Sequence, residues 1–93
     1  MYVFSASATA TKNIAHLQSG EQGLFIVYID FKDLFGAENL CKLRIMREGF
    51  REVVIEKRQW LTPEKCHDPR IQASDQALRE ALQSGWAIQL FEE

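Results

Sequence analysis

The segment LFIVYIDF, residues 24–31, decides the fold class of this chain. Nearly every residue in it is β-branched, aromatic or leucine, and Gly23 and Lys32 bound it. Eight residues suit a strand better than a helix. Because side chains alternate between the two faces of a strand, both faces of this one are apolar. The pattern therefore predicts a central strand that is covered on both sides.

Working outward from this strand, the chain shows further period-two and helical patterns. Residues 2–11 alternate between an apolar and a more polar face, which predicts a strand. Thr11 is a candidate N-cap for a short helix over 12–18. Thr62 followed by Pro63 predicts a one-turn helix, and Ser74 is the candidate N-cap of a longer helix over 75–84. Residues 86–91 alternate again and predict a last strand.

Between the central strand and Thr62, the sequence predicts a β-hairpin. Its strands cover 40–46 and 50–58 and turn at Arg47-Glu48-Gly49, where glycine suits a positive φ. Two registers fit, and both place the same apolar residues on the core face, namely Leu43, Ile45, Val53 and Ile55.

The element order β-α-β-β-β-α-β predicts an α+β fold. We expect a four- to five-stranded mixed or largely antiparallel sheet with two helices mainly on one face. Ninety-three residues correspond to one domain, 1–93, with a single core.

Composition narrows the functional classes without naming one. The net charge of −2 is too mild to indicate a partner, and no run of eighteen apolar residues predicts a membrane span. Two cysteines, Cys41 and Cys66, do not form a secreted disulfide framework, so we expect free thiols and a cytoplasmic location. No membrane partner is expected.

Residue types suited to catalysis occur, but their spacing is wrong for it. Cys66-His67-Asp68 are adjacent, whereas a nucleophile, its base and the orienting group come from separate segments. No paired spacing of cysteine or histidine predicts a zinc site. We therefore expect no catalytic, cofactor-binding or metal-binding residue and no cofactor, and an enzyme is the less favoured interpretation.

Charge is concentrated in the predicted hairpin. Residues 42–58 hold six basic side chains against three acidic ones, so the segment carries +3. Nucleic-acid binding through this basic hairpin is one alternative, although the interleaved acids would repel phosphate. A small enzyme or ligand binder, with a pocket between sheet and helices lined by Tyr28, Asp30 or His16, is a second alternative.

The leading hypothesis is a small non-enzymatic interaction domain, either a homodimer or a binder of another protein. Two helices are too few to cover a sheet that is apolar on both faces, so a second chain could supply the missing cover. The candidate interaction surface combines aromatic, apolar and basic residues outside the clearest core positions: Phe35, Lys42, Arg44, Arg47, Trp60, Trp86, Ile88 and Leu90.

Overall fold

A computed structural model describes residues 1–91 and has an α+β fold with one antiparallel sheet. This confirms the predicted fold class. In chain order the elements are β1 (Tyr2–Ala10), β2 (Gln22–Ile29), α1 (Leu34–Arg47), β3 (Phe50–Trp60), α2 (Pro63–Cys66), α3 (Pro69–Ser74), α4 (Gln76–Ser84) and β4 (Trp86–Phe91).

The strand order is β3-β1-β2-β4, and every neighbouring pair is antiparallel. β2 lies inside the sheet, as its apolar faces predict, between β1 and β4. β3 and β4 are therefore the two edges. The chain reaches β3 from β2 through α1, and it crosses from one edge to the other through α2, α3 and α4.

The two longer helices lie on opposite faces of the sheet. α1 packs through Ala37, Cys41 and Ile45 on the face that carries Phe4 and Val27. On the other face, α4 packs against Tyr28 and Ala87. The residues of α4 that are buried there are Ala77, Leu78 and Ala81. The expectation of two helices mainly on one face is wrong in this detail, because α1 and α4 bury their apolar stripes against opposite faces.

The predicted first strand of the hairpin, residues 40–46, is wrong, because these residues belong to α1. Asp33 begins the helix by accepting a hydrogen bond of 2.7 Å from the Gly36 N–H. Over a short segment, a helical pattern can also be read with period two. The prediction that Leu43 lies in the core is therefore wrong, since Leu43 lies on the outer side of α1 and is 49% exposed.

The predicted helix over 12–18 is also absent. Ile14 and Leu17 instead exchange backbone hydrogen bonds in a tight turn, and Ala15 has a φ of 51°. Thr11 does not cap a helix, because its hydroxyl donates to the Gly49 carbonyl at 2.7 Å. Within residues 1–91, no helix combines the length and the apolar character needed to cross a bilayer.

Candidate interaction site

The two edge strands differ in how well they are protected against pairing with another strand. β3 carries charged side chains along its length, and its pairing with β1 is interrupted by two register shifts. Glu52, at one of them, has a φ of 55°. β4 has the sequence WAIQLF, with no charge and no proline, and it pairs with β2 in an unbroken register. Proteins usually protect edge strands against pairing with charged side chains and bulges. β3 has this protection, and we call it the closed edge, whereas β4 lacks it.

The backbone groups that β4 presents to solvent follow from its register. The Asp30 N–H donates to the Gly85 carbonyl at 2.9 Å, which makes these two residues a hydrogen-bonded pair. Such pairs alternate along an antiparallel ladder, so Ala87, Gln89 and Phe91 direct their backbone groups toward β2. The backbone N–H and C=O groups that point away from the sheet therefore belong to Trp86, Ile88 and Leu90. We call these three residues the open edge.

The side chains of the open edge share the face that carries α1, and all three are half-buried. The Arg44 guanidinium lies 4.3 Å from the centroid of the Trp86 ring, within the range of a cation–π contact. Toward the other end of the strand, Glu48 borders an apolar groove with Ile88 and Leu90. Arg44 thus marks one end of the apolar row, where Asp30 lines the same groove, and Glu48 marks the other end.

The structure brings together four of the eight predicted interaction residues, because Arg44 reaches the open edge from α1. The remaining four lie elsewhere: Phe35, Lys42 and Arg47 on α1, and Trp60 at the end of the opposite edge strand, where its ring packs 4.8 Å from that of Tyr2. Glu48 also belongs to this site, although it is not among the residues that the sequence predicts for it. Its position near Ile88 depends on α1 being a helix.

The basic hairpin over 42–58 is not formed, because its residues are divided between α1 and β3. Arg44 stacks on Trp86, and Arg58 of β3 pairs with Glu38 of α1. The nucleic-acid alternative therefore loses the feature on which it depended.

The three polar residues considered for a ligand pocket lie apart. The Tyr28 hydroxyl donates to the Asp75 carboxylate at 2.8 Å, and burial together with this bond raises the pKa of Tyr28 to about 12. Asp30 borders a cavity of about 310 Å³ at one end of the sheet, together with Phe31 and Trp60. His16 lines a different depression, beside Leu17.

The two cysteines are free and buried. Burial raises the pKa of the Cys41 thiol to about 12, and the nearby Glu38 carboxylate contributes to the increase. Burial also raises the pKa of Cys66. Both thiols are therefore held in the protonated form, which is the less nucleophilic one. Among residues 1–91, no three His, Cys, Asp or Glu side chains are grouped so that they could hold a metal ion.

The chain was compared with models of protein families, with curated proteins and with solved structures. None of the three comparisons found a match.

Proposed function

We propose that this chain is a non-enzymatic interaction domain that forms a homodimer by antiparallel pairing of β4 with β4 of a second copy. The observation that carries this proposal is the contrast between the two edges: β3 is charged and irregular, whereas β4 is uncharged and regular. Pairing would join two four-stranded sheets into one continuous sheet and satisfy the backbone groups of the open edge.

A second copy is the occupant that these features favour over an unrelated protein. Two-fold symmetry needs only one self-complementary patch, and an antiparallel pair of identical strands provides it. The apolar row of the open edge would then meet its own equivalent, and no charged residue of β4 would be buried without a partner. The two free thiols support a cytoplasmic location for this dimer.

A matched pair of lysine variants tests the proposal. Ile88→Lys places a charge at the middle of the open edge, whereas Val54→Lys places one on the closed edge, at a residue that is 56% exposed. We expect light scattering to give the mass of one chain for Ile88→Lys and of two chains for Val54→Lys and the parent. The reason is that burying an unpaired ammonium group at an interface is strongly unfavourable.

Thermal melts of both variants must accompany the mass measurements. Ile88 is half-buried in the single chain and its side chain lies at an edge, so we expect Ile88→Lys to remain folded. A folded Ile88→Lys protein that keeps the mass of two chains would refute pairing through β4. Loss of the dimer in Val54→Lys alone would locate the interface at β3.

A further inference from the structure

We propose that the two β4 strands pair in a single register in which Ile88 faces Ile88 of the second copy across the two-fold axis. Trp86 then lies opposite the partner's Leu90. This inference rests on the proposed homodimer and specifies its geometry. Three independent features of β4 and α1 favour this register: the backbone hydrogen bonds, the side chains on each face, and the charges at the ends of the open edge.

The backbone pattern restricts the registers available. In an antiparallel pair, opposed residues lie on the same face, so a two-fold pairing must be centred on one residue facing its own copy. When Ile88 is the centre, all three residues of the open edge find partners that also point outward. If the pairing is centred on Ala87 or Gln89, only two residues of the open edge lie opposite a residue of β4 whose backbone groups also point outward. The Ile88 register therefore forms the most hydrogen bonds.

The side chains agree with the same register. On the α1 face, the pairs Trp86 with Leu90 and Ile88 with Ile88 join two apolar rows without a polar interruption. On the other face, Ala87 lies opposite the partner's Gln89. Ala87 is covered by α4 of its own chain, whereas Gln89 is exposed, so the amide of Gln89 can stay in contact with water. Each face of β4 thus meets a compatible face of its copy.

Charges at the ends of the apolar row are complementary in this register. Arg44 lies over Trp86, and Glu48 borders the groove beside Leu90. Because Trp86 is opposite the partner's Leu90, Arg44 is brought to the end of the interface that carries the partner's Glu48. The two-fold axis repeats this arrangement at the other end, so each end of the interface joins Arg44 of one copy with Glu48 of the other, beside Asp30, which lines the same groove as Arg44.

Disulfide cross-linking of single-cysteine variants tests the register. In the Ile88 register, Ile88→Cys puts two thiols directly opposite each other, with Cα atoms about 5.5 Å apart, a separation that suits a disulfide. The matched control, Gln89→Cys, puts its two Cα atoms about 8 Å apart, since they are displaced by two residues along the strands. The native Cys41 and Cys66 thiols are buried, so the parent protein serves as the background control.

The proteins are oxidised with copper phenanthroline and air, and covalent dimer is measured by non-reducing electrophoresis. We expect Ile88→Cys to cross-link at least tenfold faster than Gln89→Cys, and the parent not to cross-link. Sedimentation of the reduced variants separates the two ways of failing. A reduced dimer in which Gln89→Cys cross-links faster would overturn the register alone. Monomeric reduced variants together with a monomeric parent would overturn the homodimer and the register with it.

Discussion

At the scale of single residues, Tyr28 connects the sheet to α4. Its hydroxyl donates to Asp75, and Asp75 also accepts the Leu78 N–H at 3.0 Å as the N-cap of α4. One carboxylate therefore holds the helix start and attaches it to β2. A hydrogen bond to a charged group contributes about 1.5–3 kcal/mol to the free energy of unfolding. Because Tyr28 and Asp75 are partly exposed, we expect a contribution near the lower end of this range.

We expect Tyr28→Phe to lower the free energy of unfolding by about 1.5 kcal/mol, measured by urea denaturation. Tyr2→Phe is the matched control, because it removes a hydroxyl from a ring that packs against Phe4 and Trp60. Its effect should stay within about 0.5 kcal/mol. If Tyr28→Phe and Tyr2→Phe lowered the free energy of unfolding equally, the hydrogen bond between Tyr28 and Asp75 would not be a special contribution to stability.

At the scale of elements, the strands were easier to predict than α1. β2 and β4 have strong apolar patterns that begin just after Gly23 and Gly85, and α4 ends as predicted at Gly85, whose φ is 90°. The predicted cap of α4 is one residue too early, because Ser74 ends α3 and Asp75 is the N-cap. α1 was missed because apolar residues occur around its whole circumference. Phe35, which is 77% exposed, and Leu43 lie on its outer side and obscure the stripe that its buried residues form.

The inferred direction of the β4 backbone groups predicts opposite effects for proline at neighbouring positions. Ile88→Pro removes an N–H that points away from the sheet, so the fold should survive while dimerisation is lost. Gln89→Pro removes an N–H that bonds to β2, so it should lower the melting temperature markedly. Circular dichroism melts and light scattering on both variants measure these effects. If Ile88→Pro were the less stable of the two, the assignment of backbone directions would be wrong.

At the scale of the whole molecule, each face of the sheet has its own helix, α1 on one and α4 on the other, so the expectation that one face lacks cover is wrong. An apolar surplus nevertheless remains on the sheet, and the sequence identified one part of it, the row formed by Trp86, Ile88 and Leu90. It could not place Arg44 over Trp86 or Glu48 beside Leu90, because both positions depend on how α1 lies across the sheet. Three of the five residues of this site were therefore predictable from local pattern, and the positions of Arg44 and Glu48 required tertiary structure.

The apolar surplus also extends beyond the open edge. Leu24, Val54 and Phe91 are all about half exposed. Leu24 and Phe91 are opposed in the pairing of β2 with β4, on the face where α4 packs. Burying a large apolar side chain fully contributes about 1.5–3 kcal/mol, so these three side chains are each costly to leave in water. In the register centred on Ile88, Phe91 lies opposite the partner's Gly85, so the two patches lie at opposite ends of the paired strands, about 20 Å apart, and do not form part of this interface.

The most direct test of the central claim is the mass of the unmodified chain across a concentration series, measured by light scattering coupled to size-exclusion chromatography. One chain has a mass of 10.7 kDa. We expect the measured mass to approach twice that value as concentration rises, and to plateau there, because two-fold pairing leaves no further open edge. A mass of one chain at every concentration would contradict the account, and so would continued growth beyond two chains.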